Sequence, residues 1–227
     1  MEKIFWKIIG KGNHSIVYKA KNNETGQYVA IKEINNQRYR INIKELKEEI
    51  EEIQKINLDS IVKIKEIIEL KNILYIIMDL CSFDLLTYLL TRDKLLSVIE
   101  VKEILFQLNN IFKKLNEVNK MNIINIEMSN ILINLNEKNK ISIKLSYLHL
   151  DIFTDVSEMS FKLGKESLYT SSPEVLNGES YNNKSDIWSL GIIIYYMLTK
   201  KYLYEGNNEY IILYLATSTI NYVKIKN

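Results

Sequence analysis

The residues best placed to do chemistry in this 227-residue chain begin close to its start. Gly10-Lys11-Gly12-Asn13-His14-Ser15-Ile16-Val17 closes one alternating segment, turns, and opens the next. Glycines in such a turn let backbone N–H groups approach phosphate oxygens without side-chain obstruction. An ordinary hairpin uses the same residues, so the turn alone does not decide. On the strand after next stands Lys32, within Val29-Ala30-Ile31-Lys32, and on the following helix Glu49 faces the direction needed to pair with it. The alternative for Glu49 is one more solvated charge in a Glu-rich helix.

Positioning these groups takes a strand-rich first third. Residues 1–35 alternate and break at Gly and Asn, which predicts strands over Ile4–Gly10, Ser15–Lys21 and Tyr28–Glu33, with a turn at Asn22–Gly26. From Lys44 to Ile56, Leu46, Ile50, Ile53 and Ile56 share one helical face. Ile61–Glu69 and Ile73–Asp79 are strand-like again, giving five strands and one helix. Beyond Ser82 the pattern turns helical over Phe83–Leu90 and Val98–Asn119. Ile131–Leu135 and Ile141–Leu145 flank a turn at Asn136–Lys140, as in a hairpin, and the polar stretch Asp151–Ser167 precedes an apolar helix, Ile187–Leu198. Strands first and helices after predict an α+β fold.

Composition bounds the partners. The 47% apolar content suffices for a packed core. A net charge of +2 gives no strong field toward nucleic acid or an anionic membrane. Cys81 is the one cysteine, which excludes an internal disulfide and suits a reducing, intracellular compartment, cytoplasmic or nuclear. Charges interrupt the N-terminal apolar run, so no signal peptide is expected, and Leu190–Leu198 is about half the ~20 residues that span a bilayer.

Further segments fall in a telling order. Leu74-Tyr75-Ile76-Ile77-Met78-Asp79-Leu80-Cys81 follows Lys32 and Glu49; then come Ser129-Asn130-Ile131-Leu132, Ser172-Pro173-Glu174-Val175-Leu176 and Asp186-Ile187-Trp188-Ser189-Leu190-Gly191. Together with V-A-I-K these resemble the protein kinase family, collinearly over about 190 residues. The resemblance implies a bilobal fold, with an N-lobe of about residues 1–79, a hinge near 79–82 and a C-lobe from about 83 to 227. It implies that Gly10, Gly12 and Lys32 hold the α- and β-phosphates of ATP, with Glu49 holding Lys32. It implies that Val17, Ala30 and Leu132 sandwich adenine, and that Met78, Asp79 and Cys81 form gatekeeper and hinge. Ile64, Ile53, Leu148 and Ile123 fall on the four positions of the regulatory spine. The hinge without a glycine pair, with Leu176-Asn177-Gly178 and Leu203-Tyr204-Glu205-Gly206, is similar to cyclin-dependent and related Ser/Thr kinases.

The chain departs from that family where the chemistry is done. Counting back from Asn130, the H-R-D segment reads Ile123-Ile124-Asn125, so an amide replaces the catalytic carboxylate and cannot take a proton. Glu127 stands where a lysine meets the γ-phosphate. Tyr147-Leu148-His149 stands at D-F-G, which implies poor Mg²⁺ binding, with Asn130 the one metal ligand kept. Asp151, four residues on, is the carboxylate that a longer hairpin could bring to the metal. Without an arginine at 124, a phosphate on the Asp151–Ser167 loop would lack its usual anchor. The C-lobe is expected to be incomplete by roughly 50 residues for a domain of this family, and Glu174 to lack its arginine. Three functions are consistent with this pattern. One is a non-catalytic kinase-like protein that binds a protein partner, such as an active kinase, with weak ATP or ADP binding. The second is an atypical Ser/Thr kinase using Asp151 or a substrate-supplied group, and the third is a non-functional fragment.

Overall fold

The computed structural model describes residues 7–12, 15–35, 43–55, 58–117, 126–146, 165–177, 179, 182–204, 212 and 214–216, with the backbone alone at 43, 45, 46, 49, 53, 54, 165 and 166. Its first part is a five-stranded antiparallel sheet in the order β1-β2-β3-β5-β4, with one helix. The elements are β1 (Lys7–Lys11), β2 (Ser15–Lys21), β3 (Tyr28–Asn35), α1 (Ile43–Lys55), β4 (Ile64–Leu70) and β5 (Ile73–Asp79). The β2–β3 turn forms because Asn22 Oδ1 accepts from the N–H groups of Glu24 and Thr25, both at 2.9 Å, and Gly26 supplies a φ of 69°.

The second part is mostly helical: β6 (Phe83–Asp84), α2 (Leu85–Thr91), α3 (Val98–Glu117), a 3₁₀ turn (Met128–Asn130), β7 (Ile131–Leu135), β8 (Ile141–Leu145), α4 (Lys165–Thr170), α5 (Pro173–Leu176) and α6 (Asn183–Thr199). Each long helix has a local reason to start. Ser97 and Glu100 close a capping box at α3, with Ser97 N–H donating to Glu100 Oε2 at 2.8 Å. Asn182 and Ser185 close another at α6. Asp84 caps α2 by accepting from Thr87 N–H at 2.7 Å.

Four expectations shift. The Phe83–Leu90 helix begins two residues later, because Phe83 and Asp84 pair with Ile133 and Leu132 as a short strand. The capping box starts the Ile187–Leu198 helix at Asn183. Lys165–Thr170, within and just beyond the polar stretch, is helical. Finally, β4 starts at Ile64 because residues 60–62 have other partners: Val62 N–H donates to Leu145 O at 3.0 Å, and Leu145 N–H to Ser60 O at 2.8 Å.

That last pairing belongs to the seam between the lobes. Behind it one core cluster runs through both, from Ile34, Ile50, Leu74 and Ile76 to Ile104, Leu108, Ile131, Ile193 and Met197. β8 would be a bare edge of the small β6-β7-β8 sheet. Residues 60–62 cover one stretch of it, and the Gln107 amide covers the other, donating to Ile141 O at 3.1 Å and accepting from Ile143 N–H at 3.0 Å. Helix α6 buries Ser185, Asp186, Ser189, Ile192, Ile193, Tyr196 and Met197, while Ile187 is 69% exposed. No helix among the described residues is long and apolar enough to cross a membrane.

Ser172, before Pro173, is fully buried at the N-cap of α5, yet its hydroxyl has no hydrogen-bond partner among the described residues. A buried, unpaired hydroxyl costs stability that a methyl would not. Ser172→Ala should therefore stabilise the protein by about 1 kcal/mol, seen as a higher midpoint in chemical denaturation; a lower midpoint would mean that the hydroxyl is paired.

Candidate active site

Strand parity assembles the upper wall. Directly opposed residues of an antiparallel pair share a face, and so do residues two apart along a strand. Val17 opposes Lys32, Ala30 opposes Met78, and Ala30 and Lys32 are two apart on β3. All four therefore line one face of the sheet. Ala30 and Met78 are buried; Val17 and Lys32 are half-buried. Gly10 opposes Val17, next to an irregularity in the β1 register, and a Cβ there would meet Val17 Cβ at 3.6 Å. Gly12 turns the chain back by donating its N–H to Ser15 O at 2.9 Å, so that particular N–H is committed within the protein. Asn13 and His14 lie outside the described residues, as does the side chain of Glu49, whose backbone is in α1.

The hinge is braced from both lobes. Asp79 N–H donates to Lys63 O at 3.0 Å, and its carboxylate meets Lys65 Nζ at 3.3 Å and Lys144 Nζ at 3.4 Å. Lys65 comes from β4 and Lys144 from β8, so one carboxylate joins the two lobes. Asn134 on β7 accepts from Ser82 N–H at 3.0 Å and donates to Cys81 Sγ at 3.5 Å. Burial pushes the Cys81 thiol up, against the opposing pull of the Asn134 hydrogen bond and Lys144. It is therefore a poor nucleophile at neutral pH. The contacts that cross between the lobes are not visible in the local sequence, because Asp79–Lys144, Ser82–Asn134 and Cys81–Asn134 each join residues more than 50 positions apart. Leu132 on β7 opposes Asp84 and Lys144 and packs, half-buried, against the main core.

The loop before β7 is held from below. Ile126 is buried, and its N–H donates to Asp186 Oδ1 at 3.1 Å. Two further α6 residues, Ser185 and Ser189, complete this anchorage. Ser185 Oγ donates to Glu174 Oε1 at 3.2 Å, so Glu174, expected to lack its arginine, is met by a hydroxyl. Ser189 Oγ lies 2.9 Å from Thr170 O. Asn130 ends the 3₁₀ turn; its N–H donates to Glu127 O at 3.0 Å, and its carbonyl accepts from Ser146 N–H at 2.8 Å.

Glu127 does something the sequence did not indicate. Its Oε1 accepts from Ser167 Oγ at 2.6 Å and its Oε2 from Ser129 Oγ at 3.2 Å. The first of these ties the loop before β7 to α4, 40 residues away. Asn125, Tyr147 and Asp151 lie outside the described residues, as do Ile123 and Leu148 and the side chain of Ile53; Ile64 is buried. Among the described residues no three His, Cys, Asp or Glu side chains converge as metal ligands.

Comparison with known proteins agrees with this architecture. The family model for the protein kinase domain matches residues 4–226. The chain is 31% identical over 215 residues to calcium-dependent protein kinase 5 of Plasmodium berghei (strain Anka), covering 88% of this chain and 35% of the relative. It is 30% identical over 206 residues to human serine/threonine-protein kinase Nek5, covering 89% of this chain and 28% of the relative. Against mouse serine/threonine-protein kinase 33 the identity is 24%, over 90% of this chain and 43% of the relative. The chain thus spans well under half the length of these relatives. A match across nearly the whole chain, on a fold that carries the motifs in their expected elements, assigns it to the protein kinase family, Ser/Thr type.

Proposed function

We propose that this chain is a pseudokinase, a kinase-fold protein that acts by binding a protein partner and does not transfer phosphate. The observation that carries the proposal is Glu127. Where the family sets a lysine toward the γ-phosphate, this chain has a carboxylate, engaged by two hydroxyls at 2.6 and 3.2 Å. Phosphoryl transfer depends on positioned cationic and metal stabilisation of the equatorial oxygens. Unit like charges ~4 Å apart near a protein surface repel on a scale of about 4 kcal/mol, several times thermal energy. Asn125 adds the loss of the base and Tyr147 the loss of the metal carboxylate. Asn130 offers a neutral amide only, so the residues present do not fit Mg²⁺.

Nucleotide binding is a separate matter. Val17, Ala30 and Lys32 share one face, with Leu132 in the opposite lobe, and this arrangement is compatible with adenine and two phosphates. Binding should be weak, since one glycine-turn N–H is already committed to Ser15. ADP should bind at least as well as ATP, because it lacks the phosphate that Glu127 repels.

Two experiments follow. Purified protein should transfer no phosphate to itself or to generic substrates above a Lys32→Ala control; losing a positioned base alone removes about 10²–10⁴ in rate. Robust turnover that depends on Lys32 would instead support an atypical kinase, with Asp151 as the substitute carboxylate. For nucleotide, Cys81 is the one cysteine, so thiol alkylation reports on the hinge alone. With its pKa raised, labelling should be slow at neutral pH and accelerate only above the ordinary thiol range. ADP and ATP should slow it further and stabilise the fold by RT ln(1 + [L]/Kd), seen as a higher melting temperature, equally with Mg²⁺ or EDTA. Protection by ATP that disappears in EDTA would mean that a carboxylate still reaches the metal.

A further inference from the structure

Helix α3 is apolar on two sides. Its inner face, Val101, Ile104, Leu108, Ile111 and Leu115, is buried in the core. Its outer face carries Ile99, 78% exposed, and Phe106, 66% exposed. Seven residues separate them, two helical turns or roughly 10.5 Å. Lys102 and Glu103 lie between, on the same stripe. Leu95 and Val98, also exposed, extend the apolar surface past the helix start. Exposed apolar side chains that cluster, as Leu95, Val98 and Ile99 do beside Phe106, mark an interaction surface where single ones do not.

The order of residues on this stripe is self-complementary. A two-fold axis through the midpoint between Lys102 and Glu103 would lay a second α3 antiparallel on the first. Ile99 of each copy then faces Phe106 of the other, and Lys102 of each faces Glu103 of the other. An isologous interface requires this reciprocity, in which residue i meets j and j meets i. The charges are available for it. Lys102 is exposed and has no ion-pair partner among the described residues. Among the described residues Glu103 meets only the exposed Lys140, at 3.7 Å, a surface pair of small worth that either charge can leave. Glu100, the neighbouring carboxylate, is held away by Arg92 at 2.9 Å and by Ser97.

We propose that the outer face of α3 is a homodimer interface, in which a second copy of this chain packs antiparallel about Lys102 and Glu103. The proposal is independent of whether the chain transfers phosphate.

The test is the mass in solution by sedimentation equilibrium over a concentration series, on the wild type and four variants. The wild type should reach twice the chain mass. Phe106→Glu should raise the dissociation constant at least about tenfold, with unchanged circular dichroism and, at concentrations where both proteins are monomeric, an unchanged thermal midpoint, because the side chain is mostly in water in the monomer. Lys102→Glu and Glu103→Lys should each weaken association, and the double swap Lys102→Glu/Glu103→Lys should restore it. A wild type that stays monomeric throughout, which includes the case of a face serving a different protein, would overturn the proposal. So would a dimer indifferent to Phe106→Glu, or a double swap that fails to recover association.

Discussion

The C-terminal half of this fold hangs on the buried polar edge of α6. Asp186 grips the Ile126 backbone, Ser185 holds Glu174, and Ser189 lies against the Thr170 carbonyl. The loop before β7, α4 and α5 are thereby all fixed to one helix. Because these groups are almost wholly buried, losing one would leave a desolvated partner unpaired, which costs more than the bond's own net worth. The apolar half of the same helix, Ile193, Tyr196 and Met197, anchors it in the main core. A polar clamp at one end and hydrophobic packing at the other explain how the loop before β7 is held in a chain whose H-R-D positions read Ile-Ile-Asn.

That clamp separates scaffold from chemistry. The residues that shape the lobes are present and engaged: the face of Val17, Ala30, Lys32 and Met78, the hinge braced through Asp79 and Asn134, and the edge of β8 covered by Gln107 and residues 60–62. Glu127 has a structural partnership of its own, a bond to Ser167 that joins the loop before β7 to α4 without any phosphate. On the proposed function, a position that would stabilise transferred charge now stabilises the fold.

Much of the fold was legible because its signals are local. Alternation over residues 1–35 placed β2 and β3, a strand-like run placed β5, apolar runs flanking a turn placed β7 and β8, and the spacing of its apolar residues gave α1. The collinear motifs supplied the bilobal plan and the polar anchors of α6, since Asp186 and Ser189 are two letters of D-x-W-S-x-G. What was missed depends on distant partners. Ile61 and Val62 read as the start of a strand and pair instead beside Leu145, which is 84 residues on from Ile61. Phe83 and Asp84 look helical and become a strand only because Ile133 and Leu132 lie opposite. The Glu174 hydroxyl partner and the Ser167–Glu127 bond have no sequence signature, as serine is too common to point at anything. The Asn182 capping box was the exception, a local signal available and overlooked.

On the proposed function, the side chains at 125, 127 and 147, and not the scaffold, prevent phosphoryl transfer. The most direct measurement compares transfer from γ-labelled ATP by the wild type and by the triple variant Asn125→Asp/Glu127→Lys/Tyr147→Asp, at matched folding. The expected result is no signal from the wild type and measurable, Mg²⁺-dependent transfer from the variant. Wild-type transfer equal to that of the variant would contradict the claim, because the three positions would then carry none of the chemistry assigned to them.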